Sequence, residues 1–352
     1  MFEPTRSQSP AAQRRRNRGK AVVHALVVLP QAVLLGLGML FIPMLPRRWE
    51  RAFGHFIGRV MTWVRSRSYR YARANLDIVF RDSKTDAEKH AIARASLEHL
   101  GQVLVDYFWF SRHVKERVLK YCSFADETTR RWGTGDFPGL FVSAHIGNWE
   151  LGGLLIAAHG RTMSSVFRPI GVGSATRMLA RFRKGEGQGI IPREGAMRGI
   201  LKAFREKGVV ALLLDQHTDT FDGGEYVDFL GLPATVSGAV GALSHRMKTP
   251  VLVTGMIYDA ATDRYSLRTM REFSAEETAA MDPHDLTRAI AEGVCRLILE
   301  YPEQWLWSYR RWKRYRYGDD PARYPFYARL DPSTVPVGTV VDGKVSNGRN
   351  LV

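Results

Sequence analysis

His145 and Glu150 stand five positions apart in Ser143-Ala144-His145-Ile146-Gly147-Asn148-Trp149-Glu150, between the apolar runs GLFVSA and LGGLLIAAH. On a regular helix five residues turn through about 500°, which points the two side chains well apart. They meet only if His145 lies on a strand-to-helix loop and Glu150 in the first helical turn. Gly147 and Asn148 are suitable turn and cap residues for that geometry. A histidine held by a carboxylate is a general base with one tautomer fixed. It can take the proton of a hydroxyl that then attacks an acyl carbonyl. A helix N-terminus favours the negative charge of Glu150. A histidine in a turn followed by an unrelated capping glutamate gives the same string, and for a bare HxxxxE pattern that is the commoner origin. Ser143 lacks the surroundings of a nucleophile elbow.

The elements around this pair predict an α/β fold with a largely parallel central sheet flanked by helices. Gly139–Ala144, Thr162–Phe167, Gly208–Leu214 and Pro250–Ile257 read as strands. Between them Asn148–His159, Gly173–Arg183, Glu194–Glu206 and Ser237–Met247 read as helices, and such alternation builds parallel sheets. Upstream, from Pro46 to about Arg131, the pattern is helical. Thr85-Asp86 caps a helix with apolar positions Ile92, Leu97, Leu100, Val103, Leu104 and Phe108.

The chain divides into a basic polar N-terminus (1–20), an apolar segment (21–46), a helical membrane-proximal region (47–132), a catalytic core (133–317) and a flexible tail (318–352) rich in Pro, Gly, Asp and Asn. The segment AVVHALVVLPQAVLLGLGMLFIPMLP carries no Asp, Glu, Lys or Arg and reaches the ~20 residues that a bilayer core asks for, so it reads as a membrane anchor. No small-residue cleavage site separates it from Arg47-Arg48, as a signal peptide would require. Arginines flank both ends, and Pro30, Pro43 and Pro46 also suit a re-entrant hairpin. With 352 residues and 45% apolar content the chain buries a full core. Its net charge of +16 calls for an anionic partner, and the arginines from Arg47 to Arg73 suit an anionic membrane surface. Cys122 and Cys295 are far apart and read as reduced, buried thiols. No zinc-ligand spacing occurs.

HIGNWE resembles the HxxxxD/E motif of the glycerolipid acyltransferase superfamily, in the form found in the bacterial lipid A late acyltransferases (lauroyl and myristoyl transferases) and the related phosphatidylinositol mannoside acyltransferase. Further blocks follow in that family's order: Tyr71-Ala72-Arg73-Ala74-Asn75-Leu76, Phe167-Arg168-Pro169, Leu214-Asp215-Gln216, Val227 to Gly231 with Ala234-Thr235, Thr249-Pro250-Val251, and Pro302-Glu303-Gln304-Trp305-Leu306-Trp307 with Arg310-Arg311-Trp312-Lys313. The likeness spans about residues 21–316. It implies an acyltransferase that moves a fatty acyl group from a thioester, on acyl-carrier protein or coenzyme A, to a hydroxyl of a lipid A precursor or similar glycolipid. A mannosylated phosphatidylinositol or a lyso-phospholipid is the alternative acceptor. His145 and Glu150 become the general-base dyad, with Asp215 in or beside the catalytic pocket. Arg168, Asn148, Arg183, Arg193 and Gln216 become substrate-binding candidates. Arg168 or backbone N–H groups near Gly147 would serve the developing oxyanion. Direct transfer without an acyl-enzyme is expected, without cofactor or metal, on the cytoplasmic face of the inner membrane.

Trp305, Trp307, Tyr309, Trp312, Tyr315 and Tyr317 interleave with Arg310, Arg311, Lys313, Arg314 and Arg316, a pattern that suits nucleic-acid binding or a membrane interface. The apolar segment decides for the membrane and against nucleic acid. A non-catalytic membrane scaffold is a further alternative, opposed by the intact His145, Glu150 and Asp215.

Overall fold

The computed structural model describes residues 29–167, 188–192 and 195–350. Helix α1 (Leu29–Phe41) leads through a single 3₁₀ turn at Ile42–Met44 to α2 (Arg47–Trp63), α3 (Arg67–Phe80) and the long α4 (Asp86–Trp109). The Thr85 side chain and Glu88 form a reciprocal capping box at the start of α4, as Thr85-Asp86 predicts. Two short helices follow, α5 (Val114–Tyr121) and α6 (Glu127–Thr134), with strand β1 (Cys122–Phe124) between them. The helical region therefore contributes an edge strand to the sheet.

The core alternates β2 (Gly139–Ser143), α7 (Trp149–Ala158), β3 (Met163–Phe167), β4 (Gln188–Pro192), α8 (Ala196–Arg205) and β5 (Val209–Leu213). A hairpin, β6 (Gly224–Phe229) and β7 (Leu232–Ser237), precedes α9 (Ala239–Met247), β8 (Val251–Asp259) and β9 (Arg264–Phe273). The chain then forms α10 (Ala275–Ala280) and α11 (Pro283–Glu300). The seven-stranded sheet has the order β1-β9-β8-β2-β5-β3-β4. Strands β8, β2, β5, β3 and β4 pair in parallel, and β9 turns back on β8. Strand β2 is central, and GLFVSA fills it with side chains buried from both sheet faces, as a covered parallel sheet demands.

Two expectations change. The described part of the apolar segment is the 13-residue α1, about 20 Å long against the ~30 Å of a bilayer core. Among the described residues no helix is long and apolar enough to cross a membrane. Pro43 sits in the 3₁₀ turn and Pro46 caps α2, so the chain turns there. The stretch from Gly318 is not loose. Its strand β11 (Arg329–Leu330) pairs with β10 (Arg314–Tyr315) just upstream, and β12 (Val340–Val341) pairs with β13 (Lys344–Val345). Tyr327 and Val335 are buried, and the Tyr327 hydroxyl donates to Asn75 Oδ1 of α3. Its polar composition hides apolar anchors at wide spacing.

Candidate active site

Strands β2 and β5 run side by side with Ser143 opposite Leu213. Two residues beyond each partner come His145 and Asp215, so the sheet register itself delivers both side chains to one point. That point lies off the carboxyl ends of the parallel strands, where open α/β sheets bind their ligands. His145 Nδ1 lies 2.8 Å from Asp215 Oδ1, and the His145 backbone N–H donates to Oδ2 at 2.9 Å. Trp305 Nε1 donates to the same Oδ2 at 2.8 Å. Burial would raise the Asp215 carboxyl, but the His145 charge and these three donors outweigh it and hold the group below the usual carboxylate range. A carboxylate on Nδ1 fixes the proton there and leaves the Nε2 lone pair free to act as a base. Gln216 Nε2 lies 3.2 Å from His145 Nε2, and in that tautomer its amide N–H occupies the lone pair.

The loop carrying His145 is tied down on every side. Gly147 N–H donates to Gln304 O at 3.1 Å, Asn148 N–H to Met256 O at 2.9 Å, and Leu306 N–H to His145 O at 3.0 Å. Asn148 caps α7, its side chain accepting from Leu151 N. Its amide nitrogen donates to Asp106 Oδ2 of α4 at 2.9 Å. Glu150 lies in the first turn of α7 and is buried. The carboxylate on Nδ1 is therefore Asp215's, while Trp149 sets its ring edge-on to the imidazole at 4.9 Å.

Of the sequence candidates, His145, Asp215 and Gln216 come together directly, while Asn148 caps α7 and Glu150 is buried in that helix's first turn. Arg168, Arg183 and Arg193 lie outside the described residues. Trp305 and Asp106 join the site without any local sequence signal that marks them for it. Trp305 belongs to the aromatic and basic run near the carboxyl end, but the structure buries Trp305, Trp307, Trp312 and Arg311 completely or nearly so. Those rings are core, unavailable to stack on bases or to sit among headgroups.

A family model described as bacterial lipid A biosynthesis acyltransferase matches residues 23–314. The chain belongs to this family. No curated protein matches the sequence. This lipid A biosynthesis acyltransferase is thus an enzyme that uses an acyl donor and a lipid acceptor, and its matched region contains His145, Asp215 and every element of the parallel sheet.

Proposed function

We propose that the enzyme transfers a fatty acyl group from a thioester, on acyl-carrier protein or coenzyme A, to a hydroxyl of a lipid A precursor or a closely similar glycolipid. The observation that carries the reading is the His145–Asp215 pair with Nε2 facing outward to Gln216. The acceptor hydroxyl replaces the Gln216 amide at Nε2 and gives up its proton there as its oxygen attacks the thioester carbon. That attack forms the C–O bond and a tetrahedral oxyanion; its collapse restores the C=O bond and breaks the C–S bond, and the imidazolium proton goes to the departing thiolate. The products are the acylated lipid and the free thiol. Asp215 holds the imidazole and balances the charge it gains, and Glu150, in the first turn of α7, is a supporting carboxylate. Arg168, Arg183 and Arg193 remain candidates for the donor phosphates and the thioester oxygen.

The same reading sets the enzyme on the cytoplasmic face of the inner membrane. Helix α2 supports it by being inverted. Its buried face is Arg47, Glu50, Gly54, Gly58 and Thr62, while Trp49, Phe53, Phe56, Val60 and Trp63 face outward, Trp63 being 83% exposed. Arg48 and Arg59 on α2, and Arg65, Arg67 and Arg70 just after it in the chain, are exposed. An apolar stripe accompanied by arginine matches a helix lying in an anionic bilayer surface.

Incubating purified enzyme with labelled acyl-carrier-protein and coenzyme A thioesters and a panel of acceptors tests the reading. Label transferred to the lipid A precursor supports it. Label moving only to mannosylated phosphatidylinositol or lyso-phospholipid overturns the acceptor assignment.

A further inference from the structure

Asp106 lies at the centre of a buried polar cluster that the reaction itself does not use. Its Oδ1 accepts from Arg47 Nη1 and, at 3.0 Å, from Gln102 Nε2. Its Oδ2 accepts from the Tyr265 hydroxyl at 2.6 Å and from Asn148 Nδ2 at 2.9 Å. Arg47 also reaches Glu50 at 2.6 Å, and Gln102 reaches Glu50 at 2.9 Å. Asp106, Asn148, Gln102 and Tyr265 are each at most 2% exposed. Burying this many polar groups costs stability unless all are paired, and replacement by apolar residues is often neutral or better. Such a cluster is costly as mere filling.

Helix α4 has two faces with different tasks. Glu98 and Gly101 meet α2, where a Cβ on Gly58 would lie 2.3 Å from Glu98 Cα and one on Gly101 2.2 Å from Gly54 O. This backbone-to-backbone packing locks the two helices in one register. Ser96, His99 and Asp106 fall within an arc of about 80° on another face. Two of them bond the active-site loops and the third lies beside them: Ser96 Oγ donates to Trp305 O at 2.5 Å, Asp106 takes Asn148, and His99 is buried against the Gly147 backbone. The two oxygens of Asp106 divide accordingly, Oδ1 toward the first turn of α2 and Oδ2 toward the cap of α7.

We propose that Asp106 is a positioning residue that couples the outward-facing apolar helix α2 to the His145 loop, so that the seating of α2 on lipid and the aim of the catalytic imidazole are set together. This rests on the acyl-transfer and membrane reading above. Asn148→Ser is the sharpest variant, because serine still caps α7 but is too short to reach Asp106. Asp106→Asn and Tyr265→Phe test the hub from its other sides. His145→Ala runs alongside.

The expected result for Asn148→Ser is a fall in kcat of about tenfold or more, as a displaced catalytic group produces. The donor KM and the melting temperature should stay near wild type, and the acid limb of the kcat–pH profile should shift. The wild type should gain turnover on anionic vesicles over detergent micelles with the same acceptor, and Asp106→Asn should lose that gain while still binding the vesicles. If Asp106→Asn does not fold, Tyr265→Phe carries the vesicle comparison. Full kcat and an unmoved pH profile in Asn148→Ser, with His145→Ala inactive, would overturn the coupling alone. Turnover in His145→Ala would instead overturn the reading it rests on.

Discussion

Gly147 lies so close to the Met256 carbonyl that a Cβ on it would sit 1.8 Å from that oxygen, and its φ of +55° is one that glycine adopts without cost. The close approach lets the loop bridge to β8 while His145 faces β5. Gly147→Ala combines a left-handed backbone penalty of roughly 1–2 kcal/mol with a clash against main chain, which cannot turn aside as a side chain can. The expected outcome is a lowered melting temperature together with loss of turnover, measured by calorimetry and by acyl-transfer assay on the soluble fraction.

The two carboxylates near His145 should separate in kinetics. Asp215→Asn removes the charge on Nδ1 and lets the imidazole take the wrong tautomer, so kcat should fall about 10²–10⁴-fold with donor KM little changed. Glu150→Gln should give the smaller loss. Combining Asp215→Asn with His145→Ala should be no worse than His145→Ala alone, because residues acting as one unit are non-additive. A larger loss from Glu150→Gln than from Asp215→Asn would reverse the assignment of the orienting group.

Replacing Phe56 and Trp63 together by Asp should weaken binding to anionic vesicles without unfolding the protein, since both rings already face outward. Burying two such side chains in a membrane surface contributes about 3 kcal/mol or more, roughly a hundredfold in affinity. The remaining association should be sensitive to salt, because the arginines around α2 persist. Unchanged flotation of the double variant would show that another surface makes the contact.

His99 makes the fold acid-sensitive in a defined window. Burial pushes its imidazole down to about 4, against the upward pull of the Gly147 backbone and Asp106. The unfolded chain binds a proton near 6.5, so below that pH the unfolded state gains protons before the folded one does. Stability is therefore full above about 6.5 and falls as the pH drops toward 4, by on the order of 3 kcal/mol. Denaturant titrations of wild type and His99→Gln from pH 7 to 4 check this, the variant showing the shallower slope. Equal slopes would mean that His99 is solvated.

The parallel core and the catalytic histidine were legible because both are local. Strand β2, the turn at Gly147 and the cap at Asn148 are spelled in one uninterrupted stretch. The pairing of His145 with Asp215 is not local: the family likeness puts Asp215 in or beside the pocket, but only strand register brings its carboxylate onto Nδ1 from seventy positions away. Asp106 was hidden for the same reason: it lies in the apolar stretch VLVDYFW, and nothing nearby shows that Arg47, Asn148 and Tyr265 converge on it. The arginine-rich aromatic run near residue 310 misled in the opposite sense. Its tryptophans look like a surface by composition, and only the fold reveals that Asn75 accepts them into the core by donating to Trp307 O at 2.6 Å.

That late stretch has a consequence for the order of assembly. Trp305 supplies one hydrogen bond to Asp215, its neighbour Gln304 accepts from Gly147, and Leu306 anchors the His145 carbonyl. All three leave the ribosome after every strand of the main sheet and after helices α1 and α2. A nascent chain thus holds helices α1 and α2 while the imidazole still lacks its bracing. The base is finished only once residues 304–306 are in place, so the outward apolar stripe of α2 exists before the catalytic geometry does.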